Sequence, residues 1–498
     1  MEERNPPPAS ELVSSQLAEN RKRIEELFSN CHDLKLQSWG FGADLQYSAF
    51  SVYLDTLTET KHESYMKATL QDLSPLLVGT DANLTPEIVR RYFEGQGVTS
   101  YMPMISNSFD QTVKLILRGQ LAIFIDNWNH AICYDMPGII ARAVSEPVTE
   151  SVVFGPHNST IEDLHTNIGL LRGLLRTTKL KFESFYSGVE SDRQIVYGYL
   201  EGTVDPTTLA EFKSKMSCLG KQEILDTSYL EEWVEGSTFS PFPQVRYTER
   251  PDVANSALLE GKIIVLVQGT PSIMICPGLF VEFFSASEDY YQRTIYASLV
   301  RWLRISAFAI ALMLPSLYIA LSTYHPELIP TVLLLAILDT REKIPFPAFV
   351  EALIMEFFFE LLREAGIRLP RPIGSAVSIV GALVVGQAAI QAKISSPIMI
   401  IVVALTGIAS FALPQYNLGI ALRILRFPLM MLAATLGGFG LMIGYFMILL
   451  HITRLRVLGV PYLSSLAPLQ PGQLIRDFLF RAPIKLLQRS PRKRPFHE

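Results

Sequence analysis

The spacing of apolar residues divides the chain near Trp302. Before that point they recur in short runs separated by polar turns. Over Ser10–Ser29, Leu12, Leu17, Ile24 and Leu27 give an imperfect helical face. Leu45–Leu57 reads as a strand entering a loop, and Ser64–Leu73 and Thr85–Glu94 read as helices. Leu121–Ile125 and Ala131–Tyr134 are apolar runs joined by the polar link Asp126–His130, the pattern of a hairpin. A second unit begins near Ser145. In it, Ile161–Arg176 carries Leu164, Ile168, Leu171 and Leu175 at helical spacing, and Gln194–Leu200 reads as a strand. Pro206–Met216 and Leu225–Glu235 are helical candidates. Lys262–Val267 and Ser272–Cys276 flank Gln268-Gly269-Thr270-Pro271, a second hairpin signal. Such mixtures of strands and helices predict two α+β subdomains.

After Trp302 the apolar runs become long enough to span a bilayer. Ile305–Tyr324, Ile373–Ala392, Pro397–Leu413 and Leu429–His451 are spanning candidates, whereas Leu328–Leu338 is too short to cross alone. Asp339–Lys343 reads as a charged break, and Asn417–Phe427, with Arg423 and Arg426, as a segment at the cytosolic interface. Pro345–Gly366 is apolar enough to enter a membrane yet holds Glu351, Glu356, Glu360, Arg363 and Glu364. At about 100° per residue, Glu356, Glu360, Arg363 and Glu364 share one stripe and Glu351 lies largely off it. Carboxylates facing lipid are costly, so the stripe is expected to face protein, water or other charges.

Composition and charge agree with this division. The hydrophobic fraction is 49% and the net charge −5, which argues against nucleic acid as a partner. Residues 1–10 lack an apolar core, so no signal peptide is expected there. Cys31, Cys133, Cys218 and Cys276 form no CxxC pair and read as reduced thiols facing the cytosol. The tail beyond Arg454 is rich in Lys and Arg, with only Asp477 and Glu498 opposing, which predicts a cytosolic C-terminus. With both ends inside, the number of crossings must be even, yet the spans above, with the acidic segment, number five. The expected architecture is an α+β cytosolic N-terminal region of two subdomains followed by an α-helical multi-pass transmembrane domain. Its parts are a polar tail and helix (1–30), two soluble subdomains (31–144 and 145–300), the helical domain (301–452) and a basic tail (453–498).

Several motifs carry a family likeness. Ser145-Glu146-Pro147, Glu150, Gly155-Pro156, Asn167 and Leu170–Arg172 lie in the soluble half. Thr248-Glu249-Arg250-Pro251 and Asp289-Tyr290-Tyr291 lead towards the membrane. Arg341–Pro347, Glu351–Met355, Leu361–Pro372, Gly386–Ala389, Ala409–Phe411, Arg426-Phe427 and Gly459–Tyr462 follow in order. With these motifs, over roughly Ser145–Leu463, the chain resembles the A subunits of GerA-type nutrient germinant receptors of endospore-forming bacteria. The stage V sporulation AF proteins form a related branch. The resemblance implies an integral protein of the inner spore membrane that senses nutrients with B and C subunits. It also implies a homo-oligomeric, ligand-gated channel for monovalent cations, with membrane lipid around it.

Each motif has a plainer reading beside the functional one. The stripe of Glu356, Glu360, Arg363 and Glu364 can line a cation route or gate it. Alternatively, Arg363 offsets the carboxylates at an internal interface, or the helix lies on the membrane surface. Thr248, Glu249, Arg250 and Pro251 can couple the soluble unit to the membrane or form a structural turn. Gly440 and Gly444 form a GxxxG pair suited to close helix packing, not a cofactor loop. Glu146 and Glu150 read as polar surface or as a cap. No HExxH, GxSxG or GxxxxGK[ST] arrangement occurs, the histidines lack metal-ligand spacing, and neither an enzyme nor a cofactor is expected. No residue is assigned to nutrient binding. A non-conducting scaffold for the receptor complex is the alternative function.

Overall fold

The computed structural model describes residues 12–41, 45–58, 85–94, 103–135, 147, 150, 152–220, 222–342, 344–369, 381, 383–464, 466 and 478–483. The expected helix Ser64–Leu73, the motif residues Ser145, Glu146, Arg371 and Pro372, and most of the basic tail lie outside the described residues. The chain forms two compact units. The first comprises Met1–Ser151, Pro156–Val234 and Tyr247–Cys276; the second comprises Val152–Gly155, Glu235–Arg246 and Pro277–Glu498.

The first unit contains two sheets built alike. Its N-terminal part runs α1 (Leu17–Leu27), β1 (Leu34–Phe41), β2 (Tyr47–Leu54), α2 (Pro86–Glu94), β3 (Met104–Ser106), α3 (Phe109–Ile116), β4 (Gln120–Ile125) and β5 (Ala131–Asp135). The strands pair antiparallel in the order β1-β2-β4-β5-β3. The second part runs α4 (Leu164–Leu174), β6 (Leu180–Ser187), β7 (Arg193–Leu200), α5 (Pro206–Ser217), α6 (Thr227–Val234), β8 (Arg246–Thr248), α7 (Pro251–Leu259), β9 (Ile263–Val267) and β10 (Ile273–Cys276), with strand order β6-β7-β9-β10-β8. The two hairpins anticipated from sequence, β4–β5 and β9–β10, occupy corresponding places.

The correspondence extends to single residues. Leu34 faces Leu54 as Leu180 faces Leu200, and Ala122 faces Cys133 as Ile264 faces Ile275. Asn20, in α1, clasps the backbone N–H and C=O of Ser14; Asn167, in α4, clasps those of Ile161 in the same way. At the turn after β4, Asn127 takes φ 59°; after β9, Gly269 takes φ 87°. Both residue types tolerate the left-handed region. The sequence motif Asn167 is thus one of a structural pair. β4 reads as a continuous apolar run because both of its faces are covered: Ala122 and Phe124 pack with α1 and α3, and Leu121, Ile123 and Ile125 with Val89 of α2. β1 and β6, the edge strands Leu34–Phe41 and Leu180–Ser187, were not anticipated, because polar residues interrupt them.

A buried ion pair joins the two parts. Asp33 receives Arg172 Nε at 2.6 Å and Nη2 at 2.7 Å, and Thr56 Oγ1 donates to it at 3.1 Å. Arg172 also donates to Leu180 O, Lys181 Nζ donates to Leu27 O at 2.9 Å, and Cys31 makes a parallel bridge to Phe182. Burial pushes the Asp33 carboxyl up, but the Arg172 charge and its hydrogen bonds outweigh this and hold it below the usual carboxylate value.

The second unit is mainly helical: α8 (Glu288–Tyr291), α9 (Thr294–Thr323), α10 (Thr331–Arg341), α11 (Ala348–Arg368), α12 (residues 383–391), α13 (Pro397–Phe411) and α14 (Tyr416–Arg454), closed by the short strands β11 (Arg456–Val457) and β12 (Val460–Pro461). α9 and α14 reach the length and hydropathy of a membrane crossing. The expected charged break after Leu338 is displaced, because α10 continues through Arg341. The candidate Leu429–His451 is not one continuous helix. Gly437 takes φ 60° and ψ −140°, and a Cβ on Gly444 would lie 2.9 Å from Leu432 Cδ1. In a straight helix those two residues would be about 18 Å apart, so α14 reverses at Gly437 into an outgoing arm (416–436) and a returning arm (438–454).

Asp33→Ala is expected to cost about 3–5 kcal/mol by leaving Arg172 buried without its counter-charge. Replacing both residues by apolar ones should cost clearly less. Because the Asp33 value is depressed in the fold, its contribution is present at neutral pH and lost as pH falls through the acidic carboxylate range. Denaturant titration of the variants across pH checks both statements; equal losses in the single and double variants would contradict them.

Candidate functional site

α11 is an acidic helix in apolar surroundings, and its carboxylates meet arginines at three successive levels. At the first, Glu351 is fully buried, lies 3.2 Å from Arg341 Nη2 of α10 and accepts from Ser396 N at 3.0 Å. At the second, Glu356 Oε2 receives Arg426 Nη1 of α14 at 2.6 Å, with both side chains 1% exposed. Arg426 Nε donates to Ala311 O of α9 at 3.0 Å, tying three helices at one point. At the third, Glu360 is shared: Arg363 Nη2 lies at 2.6 Å from one oxygen and Arg423 Nη1 at 3.6 Å from the other. The Arg363 guanidinium lies 5.1 Å from the Phe359 ring centre and 5.6 Å from that of Phe411. Unpaired carboxylates in such surroundings would carry a desolvation cost of several kcal/mol each, which accounts for the arginines.

The stripe drawn from the sequence is therefore divided. Glu356, Glu360 and Arg363 lie in one network, while Glu364 turns to Arg368, and both of these are largely exposed. Glu351, set off the stripe by periodicity, faces a different pair of neighbours and is the most deeply buried carboxylate of α11. The partners Arg341 and Arg426 were not recognised from helix-face counting. Arg423 and Arg426, in the segment expected at the cytosolic interface, both turn in towards α11. A signal was present: carboxylates four apart at 356 and 360 match arginines three apart at 426 and 423 when the two helices run antiparallel. An adjacent face of α11 presents Leu353, Phe357 and Leu361, all exposed.

Gly440 and Gly444 lie where the two arms of α14 meet; Gly440 approaches Leu432 O and Gly444 approaches Leu429 and Leu432. Tyr324 and His325 bind the reversal. Tyr324 OH donates to Ala434 O at 2.8 Å and Thr435 O at 3.0 Å, satisfying carbonyls at the end of the outgoing arm. Gly438 N, at the start of the returning arm, donates to His325 Nε2 at 3.3 Å. The returning arm ends beside the segment 235–246, where His451 Nε2 lies 2.8 Å from Ser240 Oγ and Tyr462 OH donates to Pro243 O at 2.7 Å.

In the first unit, Pro251 occupies the first turn of α7, where its missing N–H costs nothing. Glu249 O accepts from Thr160 N at 2.7 Å, Ser159 Oγ at 3.1 Å and Thr160 Oγ1 at 3.0 Å. Thr248 Oγ1 donates to Glu150 Oε2 at 2.6 Å, and buried Arg250 pairs with Asp252 at 2.8 Å. Thr248 and Glu249 thus tie Glu150, Ser159 and Thr160 to the start of α7, while Arg250 and Pro251 belong to the local turn itself. Among the described residues, no group of three or more His, Cys, Asp or Glu is arranged to hold a metal.

Comparisons with known proteins bear on the whole chain. Residues 22–493 match the family model described as Bacillus/Clostridium GerA spore germination protein. Spore germination protein KA of Bacillus subtilis (strain 168) is 40% identical over 474 residues, covering 95% of this chain and 85% of that protein. The uncharacterized membrane protein YfkQ of the same organism is 38% identical over 482 residues, covering 96% of this chain and 91% of that protein. Spore germination protein A1 is 37% identical over 396 residues, covering 77% and 82%. A crystal structure of the N-terminal domain of the A subunit of the Bacillus megaterium spore germinant receptor GerK3 aligns with TM-score 0.41 and 22% identity, covering 54% of this chain and 97% of that one.

The reversal yields a direct expectation. A Cβ at Gly437 would meet the Tyr324 ring at 2.8 Å, at a φ that other residues adopt only with strain. Gly437→Ala should cost about 1–3 kcal/mol and lower the amount of protease-resistant membrane protein. Gly438→Ala, whose Cβ would meet only the His325 ring at 3.2 Å, should be milder. Equal behaviour of the two variants would contradict the reversal at Gly437.

Proposed function

The chain belongs to the Bacillus/Clostridium GerA spore germination protein family, and from that premise we propose that it is a germinant receptor A subunit coupling nutrient sensing to cation movement. It acts in the inner spore membrane with B and C subunits, as a self-associating assembly, and binds no cofactor. The observation that carries this reading is the series of carboxylate–arginine pairs along α11.

The membrane path follows from the levels at which the helices meet. α9 runs outward, passing Ala311 and then Tyr324. α11 returns, since Glu351, Glu356 and Glu360 come successively nearer the starting side. α13 returns, and the two arms of α14 go out and back; the outward passage between α11 and α13 is assigned to the span Ile373–Ala392 expected from sequence. With that span counted, the path makes six crossings, with α10 entering only partway. It satisfies the requirement of an even number, with both termini on the spore-core side.

Two states of such an assembly differ in which groups neutralise the carboxylates. With the arginines in place, cations find no free carboxylate. In the conducting state Glu360, the partly exposed member shared by Arg363 and Arg423, is released towards water and offers its oxygens to a monovalent cation. Nutrient signals reach this helix through Thr248, Glu249, Arg250 and Pro251, close in sequence to the segment 235–246. The second reading, a non-conducting scaffold, is favoured by the same pairs, because internal neutralisation is also what a purely structural helix needs.

Potassium release from germinant-treated spores carrying Glu360→Gln, with subunit abundance measured in parallel, separates the readings. Conduction predicts normal abundance with release slowed by about tenfold, the effect of one lost charge interaction of order 1.4 kcal/mol. Unchanged release at normal abundance would rule Glu360 out of the cation route.

A further inference from the structure

Where α9 begins, three arginines crowd a single carboxylate. Asp289 of α8 receives Arg301 Nε at 3.0 Å and Arg304 Nη1 at 2.8 Å. Arg481 joins them: its Nη1 donates to Thr294 Oγ1 at 2.9 Å and its Nη2 to Tyr290 O at 3.0 Å, and its guanidinium lies 5.9 Å from the Tyr290 ring centre. Arg301, Arg304 and Arg481 are 2%, 7% and 6% exposed, and the groups that receive the Arg481 guanidinium, Thr294 Oγ1 and Tyr290 O, are uncharged. Arg481 Nε is buried and makes no hydrogen bond. The cluster also adjoins the N-terminus of a 30-residue helix that has no side-chain cap, adding the positive end of its dipole.

An apolar rim lies on the same turns. Ile295, Tyr296, Leu299, Trp302 and Leu303 are exposed, and the Trp302 ring meets exposed Phe480 edge-on at 5.9 Å. Aromatic residues at the start of an apolar helix suit the headgroup level of a bilayer. In the sequence, residues 481–494 contain six Lys or Arg and no Asp or Glu, the composition that an anionic leaflet attracts.

We propose that Arg301, Arg304 and Arg481 bind the phosphate of an anionic phospholipid in the leaflet where α9 begins, with its acyl chains against the rim of Leu299, Trp302 and Phe480. The lipid supplies a negative charge to Arg481 and holds the C-terminal segment 478–483 across the first turns of α9, where Arg481 N already donates to Ser298 Oγ at 3.1 Å. The proposal rests on α9 crossing a membrane.

The test uses the full chain in nanodiscs of phosphatidylcholine with a minor fraction of phosphatidylglycerol. Lipid retained after detergent extraction is quantified by mass spectrometry. Phosphatidylglycerol should be enriched over its share of the nanodisc, and Arg481→Gln should reduce the enrichment about tenfold, as expected for one charge-assisted hydrogen bond. A photoactivatable phosphatidylglycerol should crosslink the unmodified protein within residues 290–304 and 478–483, a readout independent of any variant's folding. Retention of both lipids in nanodisc proportion, crosslinks only elsewhere, or full displacement by excess inorganic phosphate would overturn the proposal. Failure to insert into nanodiscs of either composition would overturn the membrane reading together with it.

Discussion

The helical unit is organised around the contact between Glu356 and Arg426. A lone carboxylate or guanidinium buried this deeply would be costly, so neither residue is tolerable without the other. The pair fixes α14 against α11, and the Arg426 Nε bond to Ala311 O fixes both against α9. The pairs at Glu351 and Glu360 lie on either side of it, so the register of α11 is set by charge as well as by packing. The apolar contacts of Tyr318, Ala352, Met399 and Met430 fill the space between these points and carry no register of their own.

The sheet-bearing unit is constrained differently. Its two sheets repeat one plan, strand for strand, and each builds its own core. What joins them includes a bidentate ion pair, a lysine on a helix-end carbonyl, a strand bridge, and hydrogen bonds from His32 to Phe182 O and between His165 and Asp55 O. A joint made of a few directional bonds holds a defined geometry, and it is vulnerable to loss of one partner. Arg172, singled out as part of a motif, has its physical explanation in that joint.

Much of this was legible in the sequence. The hairpins at Leu121–Tyr134 and Lys262–Cys276, and the helices near Leu164, Pro206 and Thr227, followed from apolar spacing and turn residues. β1 and β6 did not, because an edge strand needs only one buried face and their polar residues hide the pattern. The repeat between the two sheets was hidden as well, since it resides in pairing and backbone geometry more than in residue identity. In the membrane half, periodicity located the acidic helix but not its partners. Helix-face counting treats one helix at a time, and the decisive residues, Arg341 and Arg426, belong to others. The reversal at Gly437 was hidden inside a continuous apolar run: hydropathy does not register the φ that glycine permits.

The most direct test of the account is a double-mutant cycle on Glu356→Gln and Arg426→Met, read as the unfolding stability of the membrane-embedded chain. If the two side chains are mutually neutralising in a buried site, Arg426→Met alone is severely destabilising. The double variant then recovers at least about 2 kcal/mol relative to the sum of the single losses. Additive losses would mean that the two charges do not depend on each other, and the membrane half would have to be held together by something else.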